Sequence, residues 1–216
     1  MAQGSRFAWI TDDSLPRSEA EWDREVLRTE RFVAIPSVGA LVPGWTLVVP
    51  RRPLRNLSDA SPAEHKELLG IADIVAHSLG VHGKQIFCFE HGGRDVGSLT
   101  GCGVDQAHLH IVPLTFDLME AVARHADGSI AWARPRVTDS PLDLLPWQGE
   151  YVAIWRHADR LTMIGTVLHP TSQWVRRVIA DELGIGSEWN YQTHPQIHNV
   201  DRTLAMLADL RALLVP

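Results

Sequence analysis

In the segment GVDQAHLHIVPL, residues 103–114, Gln106, His108 and His110 occupy every second position, separated by small or apolar residues. A strand sends alternate side chains to opposite faces. As a strand, this segment places three polar heads on one face and Ala107, Leu109 and Ile111 on the other. Burying a polar group costs free energy unless it is hydrogen-bonded. The face carrying these heads must therefore meet solvent or have a chemical use.

The surrounding pattern places this segment within a sheet. FVAI and TLVVP, within 31–53, are β-branched and apolar, with Pro43-Gly44 as turn punctuation between them. Ser61-Pro-Ala-Glu64 combines an N-cap, a proline at the first helical position and a capping-box glutamate. Leu68, Leu69, Ala72, Val75, Ala76 and Leu79 then recur at helical spacing up to Gly80. KQIFCFEH, 84–91, reads as a strand, and the glycine-rich HGGRDVGSLTGCG leads from it into the opening segment.

Downstream, FDLMEAVARHA reads as a helix and 126–148 as a linker. YVAIW and RLTMIGTVL read as a hairpin, and two helices follow, over PTSQWVRRVIADELG and NVDRTLAMLADLRALL. Upstream, Ser18-Glu-Ala-Glu21 has the form of a capping box and predicts a short helix to about Arg28. The short connections predict an antiparallel α+β fold. Its expected parts are an N-terminal segment 1–30, a core 31–125 and an α/β extension 126–216 packed on that core.

Composition narrows the function classes. Hydrophobic residues make up 45% and charged residues 21%, with a net charge of −6, so no broad nucleic-acid surface is expected. Apolar runs fall short of the roughly 20 residues that span a bilayer, so no membrane partner is expected. Cys88 and Cys102 form neither a CxxC pair nor a disulfide framework. A cytoplasmic protein is the expectation.

Four uses compete for Gln106-Ala-His108-Leu-His110. The polar face can simply meet water. Two imidazoles at alternate positions can share a metal ion, but a metal needs further ligands, and His91 is the one candidate nearby. Imidazole can attack phosphorus as a nucleophile while a neighbour supports the leaving oxygen, and glycine-rich backbone can face the anion. The same site can also bind a nucleotide without turnover.

The segment resembles the signature of the histidine-triad (HIT) superfamily, His-φ-His-φ-His-φ-φ with φ apolar. PGWTLVVPRRP is similar to the family's Pro-Gly-His-x-Leu-Val-x-Pro segment, and the 61–79 helix and the FCFEHGG strand follow in the family's order. The resemblance covers about 30–116 and implies a HIT-like antiparallel sheet with helices. It implies nucleotide chemistry without a cofactor or metal. His108 would attack the α-phosphorus of a nucleotide conjugate to form a nucleotidyl-histidine, and His110 would contact phosphate oxygens and the leaving group. The glycine-rich loop near Cys102 and Gly103 would hold phosphate, with Glu90, His91 and Glu30 near the substrate. The implied reaction is hydrolysis. The alternatives are a nucleotidyltransferase or phosphorylase of the same superfamily, or a non-catalytic nucleotide-binding module. A homodimer is the assembly that the resemblance suggests.

Two positions depart from the family pattern: Gln106 replaces the first histidine, and Trp45 replaces the Pro-Gly-His histidine. Glutamine can orient a strand by hydrogen bonds but cannot carry a proton. Galactose-1-phosphate uridylyltransferases are similar in placing glutamine at another triad position. Trp45 is expected to pack against the Gln106 side chain, whose amide bonds nearby backbone. Beyond the resemblance, Gln173 and Arg176 open a helix whose N-terminus attracts anions and would reach the leaving group if that helix folds over the site. Trp147, Trp155, Trp174 and Trp189 are expected to build a small second core.

Overall fold

The computed structural model describes residues 6–80, 83–102 and 104–212. Nine strands form one antiparallel sheet. They are β1 (Leu27–Arg28), β2 (Phe32–Pro36), β3 (Thr46–Pro50), β4 (Gln85–Gly92), β5 (Leu109–Leu114), β6 (Ile130–Trp132), β7 (Arg136–Val137), β8 (Tyr151–Arg156) and β9 (Leu161–Val167). Their order is β1-β2-β3-β5-β4-β8-β9-β6, with β7 also paired to β9. The helices are α1 (Ala8–Thr11), α2 (Pro62–Leu79), α3 (Leu118–Arg124), α4 (Trp174–Glu182), α5 (Ile197–Met206) and α6 (Ala208–Ala212). No described helix is long and apolar enough to cross a membrane.

The central strands are buried on both faces, so they read as continuous apolar runs. On β5, Leu109 and Ile111 join a core with Leu68, Ala72 and Val75 of α2 and Val200 and Leu204 of α5. Val112 and Leu114 point the other way, into a core with Trp9 and Ile10 of α1, Val122 of α3 and Val175 and Ile179 of α4. One sheet between two helical layers is thus the whole architecture. At about 25 cal/mol per Å² of apolar area, these two faces supply most of the driving force.

Several predicted boundaries move. The capping box on α2 is present, with Ser61 and Glu64 bonded reciprocally, and Arg52 reaches Glu64 at 2.6 Å. The predicted helix after Ser18 is only a 3₁₀ turn, Glu21–Asp23, because the Ser18 hydroxyl bonds the Asp23 carboxylate and β1 begins at Leu27. The predicted linker 126–148 carries β6 and β7, both paired to β9. The hairpin β8–β9 adds directly to β4 rather than forming a separate layer. The tryptophans accordingly build no second core: Trp174 joins one existing core with Trp189 packed on it, Trp155 joins the other, and Trp147 is exposed.

Candidate active site

The site lies where β3, β5 and β4 meet α4 and the N-terminal segment. The strand begins at Leu109, one residue after His108, so the pleat does not run through Gln106 as the alternation predicts. Gln106 turns aside instead. Its amide donates to the carbonyls of Pro50 and Arg52, both at 3.0 Å, and its oxygen accepts from the Leu54 N–H at 3.3 Å. It ties the chain after β3 to the entry of β5. Its own carbonyl faces His108 Nδ1 at 2.9 Å.

That contact fixes the chemistry of His108. A carbonyl only accepts, so Nδ1 carries the proton. Nε2 is left with its lone pair on a ring that lines the pocket. Burial lowers the His108 pKa to about 4, so this tautomer is neutral at physiological pH. The ring of Phe7 covers His108 at 5.4 Å between centroids.

His110 is held in the opposite tautomer. Trp45 Nε1 is a donor without acceptor capacity, and it reaches His110 Nδ1 at 3.0 Å. The proton of neutral His110 is therefore on Nε2, which is buried without a hydrogen-bond partner among the described residues. The ring stacks on Phe89 at 4.2 Å and lies 4.8 Å from His108. Burial first, then the neighbouring His108 and His91 and the Arg176 and Arg6 cations, holds the His110 pKa well below its ordinary value. The partner of Trp45 is thus His110 and not Gln106, a correction to the expected packing. The turn before β3 sets this geometry: Gly44 has φ +93°, and a Cβ there would come 2.8 Å from Pro113. Thr203 of α5 accepts from the Gly44 N–H at 2.8 Å.

His91 stands behind His110, with ring centroids 6.1 Å apart. Its Nε2 accepts from the Val175 N–H at 3.2 Å, in the first turn of α4. Its Nδ1 faces Cys102 Sγ at 3.9 Å. Burial lowers its pKa to about 3 and raises that of the Cys102 thiol to about 11. Cys102 lines the pocket as a neutral group.

The C-terminal extension closes the pocket. Gln173, in the left-handed region at φ 59°, and Arg176 line it, as does Tyr191. Arg176 bonds the carbonyls of Trp189 and Gly39 and lies 4.8 Å over the Trp45 ring. Gly39 is where the two segments meet: with φ +66°, a Cβ there would come 2.5 Å from that of Tyr191. The walls leave about 30 Å³ of free space, room for about two waters. A larger cleft of about 680 Å³ lies elsewhere, between Asp73 and His77 of α2 and the end of β8, and contains none of the three histidines.

The structure therefore brings together His108, His110, Cys102, Gln173 and Arg176, with His91 behind them and Gln106 acting through its carbonyl. It does not bring Glu90 or Glu30 there. Glu90 follows Phe89 on β4 and points to the opposite face, where it accepts from the Leu57 N–H at 2.7 Å and the Tyr151 hydroxyl at 2.6 Å. Glu30 is exposed beside Arg31. Gly103 falls outside the described residues. Sequence reasoning missed Arg6, Phe7 and Tyr191, which come from segments without motif or periodicity. No group of three or more His, Cys, Asp or Glu among the described residues is arranged to hold a metal ion.

Comparison with known proteins finds one domain match and several similar structures. Residues 19–117 match the family model described as the HIT domain. Similar solved structures include a HIT-like protein from Bartonella henselae, 20% identical, covering 53% of this chain and 78% of that one at a TM-score of 0.39. A HIT family hydrolase from Clostridium thermocellum is 21% identical over 52% of this chain and 92% of its own, at a TM-score of 0.36. A GalT-like protein from Arabidopsis thaliana, 8% identical, covers 66% of this chain and 77% of that one at 0.41. No curated protein matches the chain.

Proposed function

We propose, from the HIT-domain match over residues 19–117 and the site geometry, a nucleotide hydrolase that cleaves at the α-phosphate through a nucleotidyl intermediate on His108. The observation that carries this reading is the pair of opposed tautomers. His108 offers a lone pair at Nε2 because its Nδ1–H is held by the Gln106 carbonyl. His110 offers an N–H at Nε2 because its Nδ1 is held by Trp45. A nucleophile and a hydrogen-bond donor for a phosphate oxygen thus stand 4.8 Å apart, ring to ring. Arg176 adds positive charge.

Nε2 of His108 attacks the α-phosphorus, and the bond to the leaving oxygen breaks with its electron pair. Water then attacks the same phosphorus, the P–N bond returns its pair to Nε2, and the proton of water passes to product or solvent. His110 donates to a phosphate oxygen in both steps. A purely nucleotide-binding module is the second reading, favoured by the closed pocket: about 30 Å³ admits no nucleotide until the cover over His108 shifts.

The test is intact mass of protein quenched after mixing with nucleotide anhydrides of all four bases. The nucleotidase reading expects a one-nucleotide adduct in the parent and none in His108→Ala. An adduct that persists in His108→Ala refutes the assignment, and its absence from the parent supports the binding module.

A further inference from the structure

Trp45 and Arg176 together bear on which leaving group the site can release. The Trp45 N–H occupies the only lone pair of neutral His110. His110 can accept a second proton only by losing that bond, in surroundings that hold Arg6, Arg176, His108 and His91 and no carboxylate among the described residues. Giving up its one proton would leave an imidazolate. His110 therefore donates a hydrogen bond but has no proton to deliver. The remaining pocket groups, Cys102, Gln173, Ser37, Tyr191 and the backbone, are neutral, and none is as acidic as an imidazolium. A leaving amine or alkoxide needs a proton as it departs, whereas a leaving phosphate is stable as an anion.

The charge on the pocket wall fits such an anion. Arg176 is 2% exposed. Its hydrogen bonds go to two carbonyls, and no carboxylate among the described residues faces it. A buried cation is costly unless it is paired. Arg6 also lines the pocket. Asp23 lies 3.5 Å from its Nη2, and that nitrogen has no hydrogen-bond partner among the described residues. Both arginines lie outside the matched domain at 19–117, so the flanking segments supply the charge.

We propose that this site is restricted to phosphoanhydrides, and that Arg176 and Arg6 receive the departing phosphate as an anion. The proposal rests on the His108 nucleophile. In the reaction the Pα–O bond breaks with its electron pair on the leaving phosphate, which forms charge-assisted bonds to the two guanidiniums, and no proton is transferred to it. The Trp45–His110 bond is the specificity device, because it denies phosphoramidates the acid they require.

Full-length protein is assayed against nucleoside 5′-phosphoramidates and symmetric dinucleoside triphosphates, with all four bases in each class. The expected result is kcat/KM at least 100-fold higher for the anhydride. Arg176→Lys should lower kcat on the anhydride at least tenfold. Trp45→Phe, which removes the N–H and keeps an aromatic ring, should raise the amidate-to-anhydride ratio at least tenfold, with the gain confined to low pH. Equal turnover of both classes, or preference for the amidate, refutes this inference while leaving the nucleotidyl-His108 reading intact. Absence of a His108 adduct from either class refutes both. If Trp45→Phe fails to fold, the parent's substrate ratio and its flat amidate rate toward low pH decide.

Discussion

Glu90 offers a stability test free of any assumption about substrate. Its carboxyl is buried, and desolvation raises its pKa to about 8, only partly offset by the bonds from Tyr151 and Leu57. An unfolded glutamate titrates near 4.3. Between these values the folded state holds a proton that the unfolded state has lost, so stability falls as pH rises. From pH 6.5 to 8 the fall integrates to about 1.5 kcal/mol, since one proton bound in the folded state alone costs about 1.4 kcal/mol per pH step of one and the slope flattens near the folded pKa. Comparison with a Glu90 variant isolates this share. His91, His108 and His110 are neutral in the folded state and half protonated at pH 6.5 when unfolded, so each adds about 0.4 kcal/mol in the opposite sense over the window, but it does so equally in the parent and in a Glu90 variant. Urea unfolding at the two pH values is compared between the parent and Glu90→Gln. In Glu90→Gln, which keeps the shape and an acceptor for the Leu57 N–H, the Glu90 share disappears, so the parent should lose about 1.5 kcal/mol relative to the variant between pH 6.5 and 8. An equal slope in both proteins would mean that Glu90 is ionised in the fold, and the raised pKa would be wrong.

Two further outcomes follow from the site. In the Glu90→Gln background, stability should fall by about 2 kcal/mol for each of His91 and His108 between pH 7 and 5: their folded pKa values near 3 and 4 lie below the unfolded value, so the unfolded chain takes up protons first, and urea midpoints report it. Gln106→Leu should cost about 1–3 kcal/mol by stranding buried groups of the Pro50–Leu54 backbone. It should leave the rate of His108 adduct formation within tenfold, because the orienting contact is the residue 106 carbonyl.

How much of this was legible in the sequence follows from the range of each interaction. The α2 capping box, the strand pairs around Pro43-Gly44 and the placement of His108 and His110 are encoded within a few residues of themselves, and all were readable. Arg6, Phe7 and Tyr191 reach the pocket through contacts far apart in the chain, and no local pattern marks them. Glu90 shows the limit of motif logic. It neighbours His91 in sequence, yet a pleat sends adjacent side chains to opposite faces, so one faces the histidines and the other the 3₁₀ turn Leu57–Asp59. The alternation of Gln106 with His108 and His110 misled for the converse reason: period two ran back through Gln106 and His108, which precede the strand.

Gln106 and Trp45, the two departures from the family signature, are tied to the histidines by different parts of themselves, and this yields the last prediction. Trp45 contacts His110 and Phe89 and lies under Arg176. The hydrogen bonds of the Gln106 side chain among the described residues go to the backbone of residues 50–54. They share no side-chain partner. Trp45→His leaves a cavity in a fully buried position, costing about 2–4 kcal/mol, and replaces the fixed indole donor with a ring that can accept a proton. Gln106→His puts a ring among backbone groups that the amide now satisfies, costing about 1–3 kcal/mol. Because neither change alters what the other side chain touches, the double variant should lose the sum of the two, with coupling below about 0.5 kcal/mol. A double-mutant cycle on unfolding free energy measures this. Coupling above about 1 kcal/mol, beyond the range of independent sites, would show that the tryptophan and the glutamine form one packing unit, and the separation of their roles, one setting the His110 tautomer and the other the β5 entry, would fail.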